Sequence, residues 1–352
     1  MSSTETFIRV NGRGNAWPVF LGGESAFYDV SSSEDLSNAS YSIIHYKGRE
    51  ICTKNIDWEI LIDAGHHTVP FLIKNGNRIP EAVVLTHGHM DHTLGLDWLA
   101  QSQYFLSGKE KLISVYATKP VWQFVKQSYS HLERIINFRE LLPGKETHVQ
   151  EAKELIVTSY PVFHGKHASG ASMLLFNVGN SKRALFTGDM LCPLLRTKDY
   201  SSLAGAEIVF IDSNNRFPYP DSNHGSIVPN QPNSNKISGR LEEWLSKANM
   251  NYLVAPHARK DYNKHHHAYF EEFLSDFNAP ATMPHTVFDF IRKTNISNVN
   301  LIHYGGMEDS KYYNAKQLSA EKLQNWAHEQ AQRHGLENVS FKVPEAGDKI
   351  SL

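Results

Sequence analysis

Thr86-His87-Gly88-His89-Met90-Asp91-His92 is the stretch on which the fold of this chain turns. It follows the short apolar run Ala82-Val83-Val84-Leu85 and precedes an amphipathic stretch from Leu94 to Ser102. The first reads as a strand covered on both faces, the second as a helix. Three histidines and one aspartate therefore gather at the carboxyl end of a strand, on the loop leading into a helix. Imidazole nitrogens and a carboxylate oxygen suit Zn²⁺, with Mn²⁺ or Fe²⁺ as lesser options. One ion cannot easily use four side chains at such close spacing; two adjacent ions can. A histidine-rich surface turn is the competing explanation, and the apolar strand directly before the cluster speaks against it.

Outward from this loop the same alternation recurs. Strand candidates are Glu59–Asp63, Ala82–Thr86, Leu112–Ala117, Leu155–Tyr160, Met173–Asn177, Arg183–Thr187, Ile208–Ile211, Tyr252–Ala255 and Val299–Ile302. Helical periodicity marks Leu94 to Ser102, Val121 to Ser128, Ser238 to Ala248, His267 to Phe277 and Ala320 to His334. Strands interspersed with helices predict an α/β chain with sheets sandwiched by helices. From Asp212 to Asn235 the chain is dense in Asn, Pro and Ser, with Phe217 and Tyr219 among them, and reads as a functional loop over the site. No internal repeat is visible. The simplest organisation is a single domain over residues 1–352 with an insertion at roughly 212–298.

Composition bounds the partners. Among 352 residues, 41% are hydrophobic and 20% charged, with a net charge of −2, so bulk charge argues for neither nucleic acid nor an anionic membrane. With Cys52 and Cys192 as its two cysteines, the chain has no disulfide framework, and a cytoplasmic setting is expected. The start, Met1-Ser2-Ser3-Thr4-Glu5-Thr6, lacks the basic and apolar regions of a secretory leader. No apolar run approaches the roughly 20 residues of a membrane span. Histidine is the outlier at nineteen, several of them closing apolar runs, which directs attention to metal binding.

The His-x-His-x-Asp-His segment resembles the signature of the metallo-β-lactamase superfamily, and further segments resemble that family's other motifs in order. Ile60-Leu61-Ile62-Asp63-Ala64-Gly65 is similar to a strand ending in Asp-x-Gly, whose aspartate supports the ligand loop from behind. Tyr160-Pro161-Val162-Phe163-His164-Gly165 is similar to the third motif, so the resemblance makes His164 a ligand, in preference to His167. Phe186-Thr187-Gly188-Asp189 matches the Gly-Asp whose carboxylate bridges two metals. For the closing histidine two segments compete: His303, after Asn300-Leu301-Ile302, is preferred because a helix from Ala320 and the strand Val339–Val343 follow it. His257, after Tyr252–Pro256, is the alternative ligand or a pocket residue. The implied fold is the four-layer αββα sandwich. The implied metal set is His87, His89, Asp91, His92, His164, Asp189 and His303, around two divalent ions, zinc first.

Departures from the family's patterns narrow the chemistry. Histidine at position 89, where oxygen-reducing di-iron relatives carry glutamate, disfavours redox work. Asp189 stands where some antibiotic-hydrolysing members carry cysteine, and Cys192 reads as a buried apolar residue. Two ions sharing a water would lower its pKa towards neutrality and neutralise charge developing on the scissile group. No Gly-x-Ser-x-Gly elbow competes for the nucleophile role. Asp91 is expected to orient the water as well as to ligate.

Asp212 and His224 resemble a degenerate version of the acid–histidine pair with which tRNase Z-like phosphodiesterases protonate the leaving oxygen. Val10-Asn11-Gly12-Arg13-Gly14-Asn15 resembles the first strand and glycine turn of the tRNase Z and cyclic-nucleotide phosphodiesterase branches. The expected activity is therefore phosphodiester hydrolysis on a small nucleotide-type substrate, with no membrane partner. Nucleic acid is not expected, since nothing resembles the tRNA-holding arm, and a homodimer is left open. Hydrolysis of a carboxylic ester, lactone or β-lactam at the same centre is the alternative, and a non-catalytic metal-binding module is the alternative of another class. Arg216 and Arg259 are candidate phosphate contacts. His66 and His67 could approach the pocket, and His265-His266-His267 is expected to face solvent.

Overall fold

The computed structural model describes residues 5–14, 37–48, 50–164, 168–179, 181–190, 192–213, 256–276, 287–303 and 320–352. Two sheets organise them. In the first, β1 (Glu5–Gly12), β2 (Ser40–Tyr46) and β3 (Ile56–Ile62) run antiparallel, and β4 (Ala82–Val84), β5 (Ile113–Ala117) and β6 (Ile136–Glu140) continue from β3 in parallel. In the second, β7 (Glu146–His148), β8 (Leu155–Phe163), β9 (Ser172–Val178) and β10 (Lys182–Phe186) are antiparallel, with the short β11 (Cys192–Pro193) on the outer edge of β8. From β10, the strands β12 (Ile208–Asp212), β13 (Asn298–Ile302) and β14 (Ser340–Lys342) run parallel. The last strand, β15 (Lys349–Ser351), returns to pair with β1 in the first sheet.

Alternation along the strands shows why the layers stack as they do. Ile60, Ile62, Val84, Ala184, Phe186, Ile208 and Phe210 belong to one apolar cluster between the sheets. Their neighbours Leu61, Val83 and Leu85 point the other way, onto a cluster that includes Leu72, Leu96, Leu99 and Val121. Likewise Leu185, Val209 and Ile211 point outward to meet Phe270, Phe273, Phe290 and Leu323. Successive side chains of a strand face opposite ways, so runs apolar on both faces require cover on both.

Helices α1 (Thr68–Lys74), α2 (Met90–Thr93), α3 (Leu96–Leu106) and α4 (Lys119–Ser128) lie in the first half of the chain. Helices α5 (Thr197–Leu203), α6 (Lys264–Asp276), α7 (Val287–Thr294) and α8 (Ala320–Arg333) lie in the second. The result is the expected αββα sandwich. Among the described residues no helix is long and apolar enough to cross a membrane.

The structure adds to the sequence reading at three points. The helix expected from Leu94 begins at Leu96 and reaches Leu106, because α2 first carries the Met90–Thr93 turn. Helices α6 and α7, which fall in the expected insertion, bury Tyr269, Phe270, Phe273, Phe288 and Phe290 in the outer cluster and so form part of the layer over the second sheet. The chain also repeats itself in space: each sheet is an antiparallel set extended by parallel strands. The strand Tyr252–Ala255 and the helix Ser238–Ala248 lie outside the described residues.

Candidate metal centre

The carboxyl ends of the parallel strands meet at one edge of the sandwich. There β3 runs into Asp63, β4 into Thr86 and His87, β10 into Asp189, and β13 into His303, while β12 ends on Asp212 itself. From the end of β8 comes His164. Two close approaches lock the loops. Gly65 lies so near the metal-loop backbone that a Cβ there would come within 1.7 Å of the Asp91 carbonyl oxygen. Gly188 adopts φ +56 against the Thr86 side chain, where a Cβ would sit 2.7 Å from the Thr86 Cβ. In addition Ser172 N–H donates to the Thr86 carbonyl at 2.9 Å, tying β9 of one sheet to the metal loop of the other.

Among the described residues, two groups of side chains converge as ligand sets. One is His87, His89 and His164; the other is Asp91, His92, Asp189 and His303. In the first, His89 Nδ1 lies 3.2 Å from His87 Nε2 and 3.1 Å from His164 Nε2. In the second, His92 Nε2 lies 3.3 Å from an oxygen of each of Asp91 and Asp189. His303 Nε2 lies 3.2 Å from Asp189 Oδ2 and 3.7 Å from Asp91 Oδ2. Asp189 also reaches the first group, with Oδ2 at 3.7 Å from His87 Nε2 and 3.6 Å from His164 Nε2. The donor set is imidazole and carboxylate throughout, which fits zinc. Asp91 Oδ2 and His92 Nε2 are buried without a hydrogen bond of proper alignment, a state polar atoms tolerate when they face a cation.

Electrostatics point the same way. Burial, followed by the charge of His92, holds His87 well below its usual pKa and so in the neutral form a metal requires. Burial opposes protonation of His92 too, but Asp189, Asp91 and Asp63 overcome it and lift this pKa well above the ordinary value. His303, likewise buried, is lifted to about 10 by Asp189, Asp212 and Asp91. Burial works against ionisation of Asp91 and Asp189, yet His92 for the first and His303 with His92 for the second hold both well below the carboxylate range. The pocket draws positive charge to its centre.

Behind the ligands stands a second set of carboxylates. Asp63 accepts from Thr86 N–H at 2.8 Å and from the Thr86 hydroxyl at 2.7 Å, and Asp63 Oδ2 lies 2.7 Å from His92 Nδ1. Asp212 plays the matching part in the second sheet, with Oδ1 at 3.4 Å from His303 Nδ1 and Oδ2 accepting from Met190 N–H at 3.0 Å. Each clamp fixes which imidazole nitrogen faces inward. Asp212, expected to share proton delivery with His224, is 1% exposed, closes β12 and stands beside His303 rather than in a solvated loop. It had a sequence signal, since Val209-Phe210-Ile211-Asp212 repeats the pattern of Ile60-Leu61-Ile62-Asp63.

Other candidates separate. His224, His167 and Arg216 lie outside the described residues, as does the side chain of His257, whose backbone falls in the turn Pro256–Asp261. Among the described residues, His303 joins the second ligand group. His66 is exposed and His67 half-buried, their rings 4.2 Å apart beside the metal loop. The triplet on α6 does not wholly face solvent: His266 is buried, its Nδ1 lying 2.9 Å from Asn263 Oδ1. Cys192 is a buried thiol whose pKa burial pushes up to about 12.

Residues 59–226 match the family model described as Metallo-beta-lactamase superfamily. Ribonuclease Z of Bacillus subtilis is 27% identical over 190 residues, which make up 51% of this chain and 59% of that protein. Endoribonuclease YSH1 of Mycosarcoma maydis is 27% identical over 164 residues, or 40% of this chain and 18% of that protein. The chain thus spans less than two thirds of the length of these curated relatives. Among solved structures, the metallo-beta-lactamase fold protein YhfI from Bacillus subtilis gives a TM-score of 0.54 at 13% identity, covering 99% of this chain and 100% of that one. At that identity the likeness concerns the fold.

Proposed function

We propose, from the match of residues 59–226 to the metallo-β-lactamase superfamily model, that this chain is a dinuclear metal-dependent hydrolase of phosphodiester bonds. One observation carries the reading: Asp189 lies within 3.7 Å of imidazoles from both ligand groups, the placement of a carboxylate shared by two ions. His87, His89 and His164 would hold one ion; Asp91, His92 and His303 would hold the other. When bound, the pair would supply Lewis acidity and lower the pKa of a coordinated water.

The protein's own contribution is placement. Asp63 and Asp212 keep His92 and His303 in one tautomer and one orientation, so the donors are organised before substrate arrives. Asp91 has the most exposed carboxylate of the centre, at 11%, and is placed to orient attacking water and accept its proton. Since Asp212 is engaged with His303, it acts here as a positioning residue, and protonation of the leaving oxygen falls to another group, for which His224 is the candidate.

Phosphodiester chemistry is favoured over carboxylic esters and lactams because relatives named Ribonuclease Z and Endoribonuclease YSH1 match 51% and 40% of the chain. Those names bring RNA into consideration beside small nucleotides. The test is turnover by zinc-loaded protein of bis(p-nitrophenyl) phosphate, 2′,3′-cyclic nucleotides and a short RNA, with ester and lactone substrates in parallel and Asp91→Ala as control. Cleavage of a phosphodiester that Asp91→Ala abolishes is the expected result; ester or lactone turnover alone, or none, would sink the proposal.

A further inference from the structure

Tyr41 stands at the centre of the molecule, and none of the roles above uses it. It sits on β2 opposite Ile62, the residue before Asp63. Its ring packs on Phe186 at 5.0 Å and on Phe210 at 4.8 Å, three residues before Asp189 and two before Asp212 respectively. The ring is thus flanked by three strands, β3, β10 and β12, that each lead to one of these carboxylates. The side chain is 3% exposed, and its hydroxyl is buried with no hydrogen-bond partner among the described residues. Burial first, and then the charges of Asp63, Asp189 and Asp212, oppose ionisation of this phenol, which places all three carboxylates within electrostatic range of it.

A buried hydroxyl left unbonded is destabilising, and phenylalanine would fill the same aromatic stack without that cost. What sets a tyrosine apart here is its proton. It is a donor beneath a layer made entirely of acceptors: Asp63, which orients His92; Asp212, which orients His303; and Asp189, which both ligand groups share.

We infer that Tyr41 is a positioning residue of the metal centre, its O–H donating through one water into the carboxylate layer of Asp63, Asp189 and Asp212, and so holding the ligands they orient. The inference rests on the site being a metal centre but not on the substrate proposed for it. Removal of such outer hydrogen-bond partners lowers metal affinity about 10–100-fold.

Tyr41→Phe tests this, read by zinc competition against a chromophoric chelator, by the visible spectrum of the cobalt form, and by the melting temperature of the metal-free protein. The expected result is a zinc dissociation constant raised at least about tenfold, an altered cobalt spectrum, and a metal-free melting temperature that is unchanged or higher. Unchanged zinc affinity and cobalt spectrum would overturn the inference, whatever the melting temperature does. Should Tyr41→Phe fail to fold, 3-fluorotyrosine at position 41 retains the hydroxyl and strengthens its acidity: a shifted zinc affinity supports the role, and an unshifted one overturns it. Neither reading requires turnover, so failure of the phosphodiester proposal would leave this test standing.

Discussion

Asp63 touches no substrate in this account, yet its carboxylate gathers three hydrogen-bonding groups at the head of the metal loop: Thr86 N–H, the Thr86 hydroxyl and His92 Nδ1. Asp63→Asn keeps the shape but puts an amide where an acceptor is needed, so His92 loses its orientation. Zinc affinity should fall about 10–100-fold, as measured by calorimetric titration; undiminished affinity would mean that the loop holds His92 unaided. At this scale the ligands were legible because each follows an apolar run and lies in a local pattern, as His87 to His92 and Asp189 do. The Asp212–His303 contact was not, because 91 positions separate the partners and only the sheet brings them together. Tyr41 carries no local mark at all, its significance arising from contacts with two strands of the other sheet.

Elements meet at the metal edge through backbone contact, and glycine makes that contact feasible. A methyl at Gly65 would collide with the Asp91 carbonyl, so Gly65→Ala must push the end of β3 and the start of α2 apart. A cost of roughly 1–3 kcal/mol is expected from overpacking, seen as a lower urea midpoint, together with weaker metal binding. On α6 a different property can be tested. Burial, then the neighbouring charges of His267, His265 and Lys119, lowers the His266 pKa from 6.5 to about 4.

The folded state holds that imidazole neutral while the unfolded chain takes up the proton first, so its stabilisation is present above pH 6.5 and is lost as pH falls towards 4. The melting temperature of metal-free wild type should therefore drop faster than that of His266→Gln across this window, whereas parallel curves would contradict it. Element type was readable where long apolar periods exist. It failed for the Met90–Thr93 turn, whose residues are chosen for ligation, and for α7, an eight-residue helix too short to show a sustained period, whose phenylalanines pack in the outer cluster.

For the molecule as a whole, the two sheets form halves of one device. Each supplies a strand ending in Ile-Asp, and each aspartate clamps one histidine of the Asp91–His92–Asp189–His303 group. The repetition escaped the sequence because strand pairing and facing, rather than residue identity, are what the halves share, apart from those two short runs. Metals that complete the junction between the halves should also hold it together. At free zinc a hundredfold above the dissociation constant, binding adds about 2.7 kcal/mol per site, so chelation should lower the melting temperature by several degrees.

The central claim is that two ions share Asp189. Its most direct test is the number of zinc ions retained per chain after loading and desalting, measured by elemental analysis for wild type and Asp189→Ala. Two per chain in the wild type, falling to one or fewer in the variant, is the predicted result. One per chain in both would contradict the account.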